Sequence, residues 1–174
     1  MAIRPIVLFP DPVLLRPTRE VEVVDDELRA LIEDMKETMY AAPGIGLAAN
    51  QIGLSLRLCV VDLTAGEEEG HFHAFVNPRI LTAEGEDRAE EGCLSFPDVH
   101  VEVTRPERIT VEALDAQGEP FQMEADGMMA KAIQHECEHL DGHTFLRNVS
   151  NLKRDLIKRQ IRKRIKNGDW VSVV

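Results

Sequence analysis

The chain has 174 residues, of which 44% are apolar and 29% are charged, and its formal net charge at pH 7 is −11. This size and composition are typical of one globular domain that buries its own core, so we expect a single domain over residues 1–174. No apolar run approaches the roughly 20 residues that a membrane-spanning helix needs. Prolines also interrupt the opening segment before a signal-peptide core can form. These features exclude a membrane protein, and we expect the protein to act in the cytoplasm.

The predicted elements come in the order helix, strands, helix, helix. Residues 25–41 favour a first helix capped by Asp25, because apolar side chains recur at helical spacing and acids occupy its first turn. Short runs of β-branched and apolar residues predict five strands, at 56–63, 73–77, 101–104, 108–114 and 120–124, the first two forming a hairpin. A second helix is expected at 127–140. A third is expected at 151–166, with one apolar stripe formed by Leu152, Leu156, Ile157, Ile161 and Ile165.

This order predicts an α+β fold rather than an alternating α/β fold. Short, mostly antiparallel strands are expected to form small sheets around a central helix. An N-terminal helix and a basic C-terminal helix are expected to flank them.

The second predicted helix carries the pattern HExxH, formed by His135, Glu136 and His139. Residues four apart share one face of a helix, so both imidazoles can bind one divalent metal ion. Glu136 lies beside that face, where it can accept a proton from a water that the metal activates. The alternative is an ordinary surface helix with two solvated histidines. The apolar residues around the motif favour the metal site.

A catalytic metal site of this kind needs a third protein ligand. The usual protease completions are absent, because no glutamate follows Glu138 and Phe145 occupies the place of the third histidine of metzincins. Of the three cysteines, Cys137 lies on the opposite side of the helix, and Cys59 lies in an apolar run typical of packed core. Cys93 lies in a segment whose glycine and proline indicate a shaped loop. By elimination, Cys93 is the best third ligand.

Residues 44–53 contain three glycines, the first two of which form a GxGxxA arrangement, and this segment is open to three interpretations. A dinucleotide-binding loop would need a strand before it, whereas a helix is predicted there. A tight turn after the first helix is the plain structural interpretation. The functional interpretation is that the glycines let a ligand approach the backbone closely while the amide of Gln51 donates a hydrogen bond at the reacting centre.

Three segments together resemble the peptide deformylase family. The motifs of that family are a glycine-hydrophobic-glycine-hydrophobic-alanine-alanine-x-glutamine segment, Glu-Gly-Cys-Leu-Ser, and Gln-His-Glu-x-Asp-His-Leu-x-Gly. They are matched, in that order, by residues 44–51, 91–95 and 134–142. One position departs from the pattern, because Glu138 stands where the family has Asp. The extra methylene shifts that carboxylate by roughly one bond length, which bears on how a metal ligand is oriented.

The resemblance implies an enzyme that removes the formyl group from the N-terminal formyl-methionine of new polypeptides and releases formate. Glu136 would act as general base and then as general acid, while Gln51 and the backbone N–H of Leu94 would stabilise the charge on the carbonyl oxygen. Two imidazoles and a thiolate suit zinc. The resemblance implies instead ferrous iron on Cys93, His135 and His139, with nickel or cobalt as substitutes.

The resemblance also implies where the substrate lies. Ile45, Gly46 and Gly92 would contact the bound peptide through their backbone. Met128 and Ala132 are either walls of an apolar pocket for the methionine side chain or ordinary core residues.

A structural ion pair is implied by the same resemblance. Glu91 would pair with Arg105 after the second motif; the alternative is two solvated charges.

The charge along the chain is uneven. The segment 153–166 holds eight basic side chains and one acid, so it carries +7 and the remainder of the chain carries −18. Its cationic face is either simply solvated or, as the resemblance implies, binds ribosomal RNA where new polypeptides emerge. No DNA or membrane partner is expected.

Two other functions remain open. The chain is either a small metallopeptidase that cleaves internal peptide bonds, against which the missing downstream ligand counts, or a metal-containing ribosome-binding module without catalysis.

Overall fold

The computed structural model describes residues 2–174, and its elements follow the predicted order. The helices are α1 (Asp26–Ala41), α2 (Gly127–Leu140) and α3 (Asn151–Asn167). The strands are β1 (Gly46–Ala48), β2 (Leu58–Val61), β3 (His73–Glu84), β4 (Asp87–Cys93), β5 (Phe96–Arg105), β6 (Arg108–Leu114) and β7 (Pro120–Asp126). Among the described residues, no helix combines the length and the apolar content needed to span a membrane.

The strands form two antiparallel sheets. Five of them make one sheet in the order β1-β2-β3-β6-β7, and β4 and β5 form a separate hairpin. Helix α2 packs on the five-stranded sheet through side chains such as Ile133 and Leu140, which meet Phe75 and Val111 in one buried cluster. Burial of each such side chain contributes roughly 1.5–3 kcal/mol. The α+β prediction with a central helix is therefore confirmed.

The hairpin covers the side of α2 that the large sheet leaves open. Phe96 of the hairpin packs with Phe145, just after α2, at 4.8 Å between ring centroids. Ile157 and Ile161 of α3 join the same cluster. The hairpin contacts α2 through polar pairs, Asp87 with Lys131 and Arg105 with Glu138, so both the large sheet and the hairpin fix the position of this helix.

The predicted apolar stripe on α3 is partly wrong. Ile157 and Ile161 are buried, whereas Leu152, Leu156 and Ile165 are 82%, 50% and 46% exposed. Helix α3 contacts the rest of the protein only along a narrow line. The helical spacing of its apolar residues therefore did not show which of them are buried.

Candidate metal centre

Three donor groups meet at one point beside α2. The side chains of Cys93, His135 and His139 have ligand atoms that all lie within 4.8 Å of one another. The Cys93 Sγ is 3.2 Å from His139 Nε2. A thiolate and two imidazoles around one point are the donor set of a tetrahedral site with an open fourth position, so these residues fit a divalent metal. Cys59 and Cys137 are instead buried in the apolar core, away from this group.

Cys93 reaches this point because β4 ends there in a tight turn. Cys93 pairs with Phe96, so Leu94 and Ser95 are the two residues of the hairpin turn. The central N–H groups of such a turn are not needed by the strand ladder, which leaves the Leu94 N–H available to a ligand. The sequence predicted a shaped loop here, and the structure has a strand end and a turn instead.

A buried ion network fixes the orientation of His135. Glu91 Oε1 lies 3.0 Å from His135 Nδ1, and the same carboxylate accepts hydrogen bonds from the Arg105 guanidinium at 2.6 and 2.9 Å. Burial alone would raise the pKa of Glu91, but the hydrogen bonds from His135 and Arg105 outweigh it and lower the pKa to about 2. Because Nδ1 faces Glu91, the other ring nitrogen of His135 faces the metal position.

Glu138, the position that departs from the family pattern, belongs to the same network. Its Oε1 accepts a hydrogen bond from Arg105 at 2.8 Å, and its Oε2 accepts one from Asn148 at 2.8 Å. Arg105 therefore bridges Glu91 and Glu138. The longer side chain of Glu138 still reaches Arg105, and through it contacts the Glu91 carboxylate that orients His135.

Glu136 lies against the backbone of the glycine segment. A Cβ atom on Gly46 would lie only 2.6 Å from Glu136 Oε1, so the carboxylate occupies the space that any side chain at position 46 would need. Glu136 Oε2 is buried without a hydrogen-bond partner among residues 2–174. Burial raises the pKa of this carboxyl to about 7. An unpaired, buried carboxylate of this kind is suited to accept and return a proton.

The side chain of Gln51 is held with its nitrogen towards the metal centre. Its Oε1 accepts a hydrogen bond from the Ala48 N–H at 2.9 Å, which fixes the orientation of the amide. Its Nε2 donates to Ser95 Oγ at 3.1 Å and lies 3.6 Å from Cys93 Sγ. Ser95 in turn donates to the carbonyl of Val7 at 2.7 Å, so its oxygen is left to accept from Gln51. The second hydrogen of this amide nitrogen points towards Cys93.

A cavity of about 470 Å³ opens from the metal centre, within the range of roughly 300–1,000 Å³ typical of small-molecule sites. Its walls include all five residues for which substrate contact is predicted: Ile45, Gly46, Gly92, Met128 and Ala132. It also includes Lys131, which the sequence analysis missed. The Lys131 ammonium pairs with Asp87 of β4 and so joins the two walls of the cavity. Lys131 lies four residues before His135, on the same helix face, and this spacing could have predicted that it lines the cavity.

The network around Arg105 provides a test of its structural role. Arg105→Ala is expected to lower the free energy of unfolding by about 3–5 kcal/mol, because two carboxylates remain buried without their cation. Their side chains are only 11% and 14% exposed. Arg88→Ala is the matched control on β4: its ion pair with Glu102 is exposed, so the expected loss is below about 1 kcal/mol. Urea denaturation measures both, and equal losses would refute the role of burial.

The family model described as polypeptide deformylase matches residues 3–155 of this chain. The peptide deformylase of Acidobacterium capsulatum is 49% identical over 170 residues, which are 98% of this chain and 100% of that relative. The crystal structure of a peptide deformylase from Legionella pneumophila superposes with a TM-score of 0.87 at 43% identity, covering 95% of this chain and 98% of that one. The peptide deformylase of Ehrlichia chaffeensis in complex with actinonin has the same TM-score at 37% identity, covering 94% and 98%. The chain therefore belongs to the polypeptide deformylase family of hydrolases.

Proposed function

We propose that this protein removes the N-formyl group from the formyl-methionine of newly synthesised polypeptides, releases formate, and depends on one divalent metal ion. One observation carries the proposal. The carboxylate of Glu136, whose Oε2 has no hydrogen-bond partner among the described residues, lies beside the three donor groups Cys93, His135 and His139 and lines a largely apolar cavity. Such a site offers a general base, room for a water and a wall for an apolar side chain.

The metal would be held by Cys93, His135 and His139, and when bound it would lower the pKa of a coordinated water towards ~7 and polarise the formyl group. Glu136 takes the proton of the attacking water as the new C–O bond forms. It then returns that proton to the nitrogen of the methionine as the C–N bond breaks, so formate and a free amine leave. At the end of the cycle the Glu136 carboxylate has given up the proton and can act as a base again.

Charge develops on the formyl oxygen during the attack, and two donors are placed to meet it. One N–H of Gln51 Nε2 donates to Ser95, and the other, which points towards Cys93 Sγ, would donate to the formyl oxygen once the substrate is bound. The Leu94 N–H belongs to the hairpin turn and is free of the ladder. One donor of this type is typically worth about 3 kcal/mol to the transition state. Because the Gln51 amide is held by Ala48 and Ser95, its nitrogen is already beside the metal position before the substrate binds.

The methionine side chain would enter the apolar part of the cavity. Met128 and Ala132 lie on the α2 wall of the cavity, and Ile45 lies on the glycine segment. A formyl group is the smallest acyl group, and the Gly46 backbone lies so close to Glu136 that no side chain fits between them, which narrows the site on that side of the base. This arrangement favours an N-terminal formamide over an internal peptide bond, which the metallopeptidase alternative would require.

Formate release tests the proposal directly. Protein purified without oxygen is expected to carry one metal ion per chain and to release formate from a formyl-methionyl peptide. We propose ferrous iron as the native ion, with zinc, nickel or cobalt able to replace it; metal analysis of the anaerobic protein decides between them. Stoichiometric metal without formate would contradict the enzymatic proposal and favour a non-catalytic binding module.

We also propose that α3 binds ribosomal RNA in the cytoplasm, where new polypeptides emerge. The guanidinium groups of Arg154 and Arg164 donate to backbone carbonyls of the protein. Five other cations of α3 are exposed: Lys153, Arg159, Arg162, Lys163 and Lys166. This leaves a cationic surface for phosphate groups on an otherwise acidic protein.

Charge reversal on one face of α3 tests this proposal. Arg159→Glu with Lys163→Glu is expected to weaken sedimentation with ribosomes and to flatten its salt dependence, while formate release from a free peptide stays unchanged. Arg79→Glu, an exposed site on β3, is the control and is expected to bind like the unaltered protein. If the double variant binds ribosomes equally well at every salt concentration, α3 is not the contact.

A further inference from the structure

The chain returns from the end of α3 to the mouth of the metal cavity. Helix α3 ends at Gly168, whose positive φ of 78° turns the backbone, and residues 169–174, which we call the strap, run along the N-terminal segment. The Trp170 indole donates to the carbonyl of Phe9 at 2.7 Å, and the N–H of Ile6 donates to the carbonyl of Val174 at 3.4 Å. The strap is therefore attached at both of its ends.

One guanidinium joins the strap to the cavity wall. Arg164 lies over the Trp170 ring at 4.9 Å and donates to the carbonyl of Asp169 at 3.0 Å. The same group donates to the carbonyl of Pro97 at 2.7 Å and lies 3.4 Å from the Asp98 carboxylate. Pro97 and Asp98 belong to a bulge of β5 that lines the cavity. The position of the strap is thus fixed relative to the site.

The strap contributes one side chain to the cavity. Val173 lines it and is 56% exposed, so it lies at the mouth rather than in the interior. Its neighbour Val174 packs instead against the core, and Val171, at 62% exposed, is not part of the lining. Two other large apolar side chains of the lining are also exposed: Ile45 at 37% and Met128 at 54%. The mouth therefore presents apolar surface from three separate parts of the chain.

We propose that Val173 is a specificity-determining residue that contacts the side chain following the formyl-methionine and favours an apolar one. The inference rests on the proposed function, which places the formyl group at Glu136 and the methionine side chain on the α2 wall. The peptide then has to leave through the mouth, where Val173 is exposed. An apolar second side chain removes part of this surface from water, whereas a polar one does not.

Three substrates separate the contributions: formyl-Met amide, formyl-Met-Leu amide and formyl-Met-Ser amide. The unaltered protein is expected to prefer leucine to serine in kcat/KM. Val173→Asn is expected to lower kcat/KM for the leucine substrate by roughly three- to tenfold, the size of losing one or two methylene contacts, mainly through KM. Values for the other two substrates should stay within about twofold, because they make no such contact. Val173→Leu is expected to keep the leucine preference.

Val171→Asn is the matched control, since it makes the same change on an exposed strap residue outside the cavity. If Val173→Asn and Val171→Asn give equal values with the leucine substrate, the inference is overturned. It is also overturned if Val173→Asn slows all three substrates equally, because the effect would then lie at the metal centre. Failure of the unaltered protein to release formate from any of them would instead contradict the proposed function.

Discussion

Replacing Glu136 by Gln is expected to lower kcat for formate release by about 10²- to 10⁴-fold, the usual contribution of a positioned general base. The glutamine side chain has nearly the same volume as glutamate. It therefore fits the space beside Gly46 that the Glu136 carboxylate fills in the unaltered protein. It has no basic oxygen with which to take a proton from water. Because Glu136 is not one of the three metal ligands, the bound metal should remain. Single-turnover formate release, measured together with metal content, separates the two effects.

Glu90→Gln is the matched control for this variant. Glu90 lines the same cavity from β4 but is exposed, so the same change there should alter kcat by less than about twofold. If the Glu136 variant keeps the full rate with metal bound, another group must transfer the proton. The buried, unpaired position of Glu136 would then serve only to shape the site.

The helices and the HExxH pattern could be predicted because local periodicity determines them. Helix α1 begins after Asp25, whose side chain accepts from the Leu28 N–H at 2.9 Å, and α2 has the predicted bounds. Four-residue spacing was sufficient to place His135 and His139 on one face. Elimination among the cysteines selected Cys93, and the structure brings it to these histidines. Its role as a ligand stays a prediction until metal binding is measured.

The hairpin that carries Cys93 was only partly predictable. Strand β4, Asp87–Cys93, is rich in charge and has no apolar alternation, so its pairing with β5 determines it rather than its own sequence. The short strand β1 was missed for a related reason, since its glycine suggests a turn. The strap could not be foreseen either, because the contacts of Trp170 join positions 161 residues apart. Long-range contacts of this kind leave no local period in the sequence.

Cys93→Ala is expected to abolish stoichiometric metal binding and, with it, formate release. A site with three protein ligands that loses its thiolate keeps two imidazoles, one of which, His139, was held 3.2 Å from the missing sulfur. Two neutral nitrogens lack the charge and the geometry to retain the ion through purification. Metal per chain, measured after anaerobic purification and dialysis, gives the result directly. Thermal unfolding of the variant shows whether the fold persists.

Cys59→Ala and Cys137→Ala are the matched controls, because they make the same change at the two other cysteines. Both thiols are buried in the cluster between α2 and the large sheet, and burial raises the pKa of each above its ordinary value. A buried thiol that stays protonated packs as a small apolar group, so its loss should cost some stability but no metal. If Cys93→Ala keeps the metal, or if either control loses it, the ligand set is wrong. A different residue would then have to complete the metal site with the two histidines. The position of Gln51 beside Cys93 would no longer support a catalytic role for its amide.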